Sequence, residues 1–142
     1  MAARKGSAEW KGDLKGGSGE VVVGDGVFKG QYSFASRFEE GEGTNPEELI
    51  GAAHAACFAM ALSNALAEGG NPPDSVKAEA DVTLRFVDGA PTIAKIELDV
   101  VGSVPGIEES DFIATAEEAK AQCPVSRALA GVPEITLTAR LA

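Results

Sequence analysis

Between Leu49 and Leu62 the chain offers one clearly polar side chain, His54. The rest of that run is Ala, Leu, Ile, Gly, Cys, Phe and Met, dominated by good helix formers. Just ahead of it stand Asn45, Pro46 and Glu48. They are a cap residue, a first-turn proline and an acid three positions past the cap, the pattern of a capping box. Gly69-Gly70 supplies the stop. The pattern predicts a helix from Pro46 to about Glu68. A helix that is apolar all round belongs in an interior, so the remaining elements are expected to cover it. At its centre lies Cys57, one of the 2 cysteines in the chain.

The flanking sequence predicts what does the covering. Ser7–Lys11 and Gly19–Val23 read as short strands. Gly24-Asp25-Gly26 marks a hairpin, and Val27–Phe34 is the returning strand, with Phe28, Tyr32 and Phe34 alternating. Ser36–Gly43 is expected to be a loop carrying Arg37. After the turn at Asn71–Asp74, Ser75–Val87 places Val76, Ala78, Ala80, Val82, Leu84 and Phe86 on one face of a half-buried strand. Ile93–Val101 is its partner. Glu108–Gln122 reads as an amphipathic helix with Phe112, Ile113, Ala116 and Ala119 inward. Cys123 then caps a short helix over Val125–Leu129, with Pro124 at its first position. Glu134–Leu141 is a last strand. This order predicts a single α+β domain over residues 1–142.

Bulk properties exclude several functions. A net charge of −10 argues against nucleic acid and anionic membranes as partners, since both need a basic face. The run from Leu49 to Leu62 is too short to span a bilayer. Met1–Trp10 carries positive charge but no apolar core behind it, so no secretory leader is expected. The expected setting is cytoplasmic, where two cysteines are free, metal-bound or redox-active rather than a permanent staple.

Cys57 and Cys123 form no CxxC pair, and nothing fixes four ligands around them, so no metal and no cofactor is expected. Burial raises a thiol's pKa, and Cys57 in mid-helix gains nothing from a helix N-terminus. It needs a cation, and Arg37 is the obvious one, with a planar fork able to hold a carboxylate and face a thiolate. Cys123, as a cap residue, sits where amides favour negative sulfur. The residues alone leave open which thiol attacks first. They also admit blander roles: Cys57 as filling, His54 as a core histidine, Arg37 as a loop ion pair with Glu39 or Glu40, and Glu47 as a first-turn acid.

Arg37-Phe38-Glu39, the block Gly43–Phe58, Val104-Pro105-Gly106-Ile107 and Cys123-Pro124-Val125-Ser126 together resemble the OsmC (osmotically inducible protein C) branch of the OsmC/Ohr thiol peroxidases. The resemblance implies an α+β fold with antiparallel sheets wrapped around a long buried central helix, in an intertwined homodimer. It implies a peroxidatic Cys57, a resolving Cys123, and Arg37 and Glu47 as the groups that orient and activate the first thiol. The implied reaction reduces organic hydroperoxides to alcohols through a Cys57 sulfenic acid and a Cys57–Cys123 disulfide, regenerated by an external dithiol, of lipoyl type in some members.

Two further expectations follow from the residues. Phe34, Phe38, Phe58 and Met60 are expected to line an apolar approach for an organic tail. Glu47 and Cys57, ten positions apart on one helix, lie about 15 Å apart along its axis. Two antiparallel copies crossing near Ala52 would bring Glu47 of one opposite Cys57 of the other, which predicts composite sites in a homodimer. The competing functions are a non-catalytic dimer that binds apolar stress metabolites and a thiol redox sensor with slow turnover.

Overall fold

The structure, a computed structural model, describes residues Met1–Ala142. Its chain divides into two compact units, Met1–Leu49 and Ile50–Ala142. In the first, strands β1 (Gly6–Lys11), β2 (Ser18–Val23) and β3 (Phe28–Tyr32) form an antiparallel sheet in chain order. Gly24 and Gly26, with φ of 60° and 97°, make the predicted hairpin turn, a conformation that costs glycine nothing. Gly19 pairs with Tyr32, and a Cβ there would collide with the Tyr32 ring.

The returning strand stops earlier than expected. Phe34 starts a short helix, α1 (Phe34–Phe38), and Arg37 sits on it rather than on a loop. The cause is a serine capping box. The Ser36 amide donates to Ser33 Oγ at 3.1 Å, and the Ser33 amide donates to Ser36 Oγ at 2.8 Å. This reciprocal pair satisfies amides that a strand would have used in its ladder.

Helix α2 runs over Pro46–Glu68, as the sequence predicts. Asn45 Oδ1 accepts from the Glu48 amide at 2.8 Å, so Asn45 caps it. The Glu48 carboxylate takes the Thr44 hydroxyl at 2.9 Å instead of completing a capping box. Within the single chain α2 is buried along one side. Gly51, His54, Phe58, Leu62 and Leu66 are buried, at helical spacing, while Ala52, Ala53, Ala56 and Met60 are exposed. By length and composition alone α2 is long and apolar enough to cross a membrane, but its stripe of Phe58, Leu62 and Leu66 packs as a core helix.

That core belongs to the second unit. Strands β4 (Ser75–Val87), β5 (Ala90–Ser103) and β6 (Glu134–Leu141) form its sheet. β4 and β5 are antiparallel, but β5 and β6 are parallel, which corrects the expectation of purely antiparallel sheets. A parallel neighbour requires a crossover, and α3 (Glu109–Gln122) with α4 (Pro124–Ala128) provides it. Phe58, Leu62 and Leu66 of α2 pack with Leu98 and Val100 of β5, Phe112, Ala116 and Ala119 of α3, and Cys123. Gly51 lets α2 approach β4, since a Cβ there would lie 2.7 Å from the Ala80 carbonyl oxygen.

Two residues expected inside lie outside. A register shift at Thr83/Leu84 ends the alternation of β4, leaving Phe86 exposed. Ile113 sits beside Phe112 on α3 but rotates away from the core and is exposed.

Candidate active site

The candidate residues fall into two groups, one in each unit. In the first unit, α1 carries Arg37 and the first turn of α2 carries Glu47. Arg37 Nη2 lies 2.8 Å from Glu47 Oε1, and Arg37 Nε lies 3.3 Å from each carboxylate oxygen. This forked contact fixes the plane of the guanidinium. Glu47 is buried, while Arg37 keeps about a third of its side chain open. Ser36 and Asn45 lock the two helix starts together. Ser36 Oγ donates to the Thr44 carbonyl at 2.7 Å, and Asn45 Nδ2 donates to the Ser36 carbonyl at 2.9 Å. The Arg37 ion pair anticipated with Glu39 or Glu40 is not formed; Glu47 takes that place.

A cavity of about 410 Å³ opens beside Arg37, walled by Trp10, Leu14, Tyr32, Phe34 and Phe38. Phe34 and Phe38 stack with ring centroids 4.9 Å apart, Trp10 and Tyr32 at 5.3 Å. Arg37 lies 5.3 Å from the centre of the Phe38 ring, within cation–π range. Trp10, Leu14 and Tyr32 escape sequence reasoning as pocket residues because β-pairing brings them in. Their signal is the aromatic at the end of β1 facing glycine in β2. Phe58, expected in the approach, is fully buried in the second unit's core and cannot line an open cavity there. Met60 is exposed and lines a separate shallow depression with Ala59, Ser63 and Val76.

In the second unit the two sulfurs meet. Cys57 Sγ and Cys123 Sγ lie 3.3 Å apart, both as free thiols, Cys57 partly exposed and Cys123 buried. Cys57 projects from mid-α2, and Cys123 occupies the junction where α3 ends and α4 begins. No metal-binding arrangement of three or more His, Cys, Asp or Glu side chains is present.

The environments push the thiols in opposite directions. Burial raises Cys57, the neighbouring Cys123 adds to the rise, and the Val125 amide opposes it. Burial also works to raise Cys123. The Ser126 amide, the contact with Cys57, the Ser126 hydroxyl and the Val125 amide outweigh it and bring Cys123 below an ordinary thiol. Cys123 makes no side-chain capping hydrogen bond. His54 is fully buried with Nε2 2.7 Å from Ser126 Oγ, and burial pulls it below the usual imidazole value.

The profile of the OsmC-like protein family matches residues 39–138. The chain is 52% identical over 139 residues to the Peroxiredoxin OsmC of Escherichia coli (strain K12), covering 97% of this chain and 96% of that one. It belongs to the OsmC-like protein family. Within the family it is more distant from the organic hydroperoxide resistance protein of Xanthomonas axonopodis pv. citri, 33% identical over 99 residues, covering 69% of this chain and 68% of that one. The OsmC-like fold itself, α+β with two sheets and four helices, matches the crystal structure of the Organic Hydroperoxide Resistance Protein OhrB of Bacillus subtilis. The TM-score is 0.73 at 25% identity, covering 97% of this chain and 98% of that one.

Proposed function

We propose that this chain is a peroxiredoxin-like, thiol-dependent peroxidase that reduces organic hydroperoxides to alcohols in the cytoplasm. One observation carries the reading: two free sulfurs 3.3 Å apart, one reachable from solvent and one not. The reachable thiol meets the oxidant, and the buried one waits for the product. Cys57 as thiolate attacks the distal peroxide oxygen. The O–O bond breaks, the alkoxide takes a proton and leaves as alcohol, and Cys57 becomes a sulfenic acid. Cys123 attacks that sulfur, water leaves, and a disulfide forms. An external dithiol, of lipoyl type in our reading, reduces it by exchange.

The chemistry asks for a cation, because burial alone disfavours the Cys57 thiolate. We assign that role to the Arg37 guanidinium, held in plane by Glu47. Their spacing from Cys57 in the sequence favours delivery from a second copy. The exposed apolar stripe of Ala52, Ala53, Ala56 and Met60 on α2 is the surface on which we place the homodimer contact. Small side chains there allow two helices to cross closely. In that assembly Cys57 is served by Arg37 and Glu47 of the partner subunit, and the aromatic cavity beside Arg37 receives the organic tail.

Stopped-flow mixing tests the reading. One equivalent of cumene hydroperoxide should consume both thiols of each reduced chain, and a dithiol should restore them repeatedly. Thiols that survive the peroxide would exclude a peroxidase and leave a pocket that only binds. A single round of oxidation without turnover would make the protein a sensor.

A further inference from the structure

His54 is a buried polar group that the peroxidase reading leaves unused. Its ring is fully enclosed, Nε2 lies 2.7 Å from Ser126 Oγ, and Nδ1 is buried without any partner. A neutral imidazole carries its proton on one nitrogen and a lone pair on the other. A proton on Nδ1 would bury an N–H with no acceptor, which proteins avoid more strictly than an unfilled lone pair. The proton therefore belongs on Nε2, and Nε2–H donates to Ser126 Oγ. That bond is the only one the His54 ring makes.

Its place in the fold gives it a use. His54 stands three positions before Cys57 on α2, and Ser126 stands three positions after Cys123. Residues three apart on a helix share a face. The His54–Ser126 bond at 2.7 Å and the Cys57–Cys123 contact at 3.3 Å are therefore neighbouring rungs between α2 and the segment Cys123–Ser126. That segment has few other anchors. Cys123 is a non-helical joint between α3 and α4, with φ −55° and ψ 121°. On the α3 side its amide donates to the Ala119 carbonyl at 2.8 Å. On the other side α4 is 5 residues long and buries no side chain fully, and Val125 alone of its residues packs, half-buried, against the core. So short a helix is not held by its own hydrogen bonds.

We propose that His54 is a positioning residue for the resolving step: its bond to Ser126 pins α4 to α2 and so holds Cys123 at attacking distance from Cys57. The proposal rests on the reading that Cys123 resolves a Cys57 sulfenic acid. In that step Cys123 supplies the electron pair of the new S–S bond as the S–O bond of Cys57 breaks. Hydroxide departs, takes up a proton equal to the one Cys123 released, and leaves as water. A sulfur held close has a high effective concentration, so it meets the sulfenic acid before a second peroxide carries Cys57 on to sulfinic acid. The pin acts through the backbone of α4, where the Arg127 amide, next to Ser126, donates to the Cys123 carbonyl at 3.0 Å.

The pin is tested first without peroxide, so that its failure is separate from failure of the peroxidase reading. Equilibrating the Cys57–Cys123 pair against reduced and oxidised dithiothreitol measures the effective concentration of one thiol toward the other. Ser126→Ala should lower it by about tenfold, the scale of one hydrogen bond, which raises the reduction potential of the pair by about 30 mV. Ser126→Thr, which keeps the hydroxyl, should stay near the wild-type value. His54→Phe should lower it as Ser126→Ala does, and the double variant should fall no further than either single one, because both remove the same bond. With peroxide, Ser126→Ala should slow disulfide formation from the sulfenic acid by a similar factor and raise the fraction of chains that end as sulfinic acid by intact mass. Ser126→Ala removes a single oxygen and decides the matter if His54→Phe does not fold. A dithiothreitol equilibrium unmoved by Ser126→Ala in folded protein, or losses from the two single variants that add in full, would overturn the proposal.

Discussion

The two units hold their candidate residues in different ways. The second unit sets its sulfurs in a packed interior: Phe58, Leu62, Val100 and Phe112, of the same core cluster, are all fully buried. The first unit holds its guanidinium–carboxylate pair with hydrogen bonds, and no large apolar side chain in Met1–Leu49 is fully buried. A segment of that length with no core of its own is marginal alone. A nucleophile must be placed and shielded, which packing does well. A guanidinium must stay charged and reach outward, which a forked ion pair at two helix starts does well. The contrast fits the proposal that Cys57 is activated by a cation lent from a second copy.

Substitutions can break this division of labour. The largest effect is expected from Cys57→Ser, which should reduce peroxide consumption to background. Cys123→Ser should leave the first oxidation detectable by intact mass, as oxygen added at Cys57, while abolishing dithiol-dependent turnover.

Phe58→Ala comes next and separates packing from substrate contact. Phe58 lies in the core, so the variant should lose about 3–5 kcal/mol of stability, read by denaturant unfolding. Its preference for cumene hydroperoxide over hydrogen peroxide should stay unchanged. A shifted preference in a stable variant would return Phe58 to the approach.

Arg37→Ala should lower kcat/KM for the organic peroxide by roughly a hundredfold, the upper range for losing one hydrogen bond to a charged group. Arg37→Lys should recover little of that, since an ammonium cannot make the forked contact with Glu47. Phe38→Ala, on the wall of the cavity, should narrow the preference for the organic peroxide by about tenfold or less, with unfolding little changed.

The smallest effect concerns pH. His54 is held neutral by burial, with its folded pKa below the unfolded value. The unfolded chain therefore binds the additional proton more readily as pH falls through about 6.5. The stability contributed by neutral His54 is present above that pH and is lost as pH drops toward the folded pKa. Unfolding midpoints measured downward from neutral pH should decline in this window, and His54→Gln should flatten that decline. A decline as steep in His54→Gln would place its cause in other groups.

Much of the fold was legible because its periods are clean. The Asn45-Pro46 start and Gly69-Gly70 stop give α2 its observed bounds, and strict alternation gives β4 its range. The departures have local causes that patterns do not carry. The serine capping box at Ser33 and Ser36 overrode aromatic alternation and made a helix where a strand end and loop were expected. The register shift at Thr83/Leu84 turned Phe86 outward. The exposed side of α2 was hidden by its alanines, which read as core from composition although they lie on the surface of the single chain.

The site was legible unevenly. Both cysteines stood out by scarcity, but their approach to 3.3 Å depends on the crossover that carries Cys123 back to α2. Arg37 was visible as a cation ahead of the central helix, while its forked contact with Glu47 needed α1 to form. Ser126 gave no sign of its contact with His54, since 72 positions separate them.

The central claim is that the Cys57 of one chain is activated by Arg37 of another. The direct measurement mixes Arg37→Ala chains, expected to keep about a hundredth of wild-type activity, with Cys57→Ser chains, expected to have none, and assays the refolded mixture for peroxidase turnover. Shared sites predict that mixed dimers carry one complete site, so about a quarter of wild-type activity returns at random pairing. Mixed dimers verified by mass that remain inactive would contradict the claim and place Arg37 with the Cys57 of its own chain.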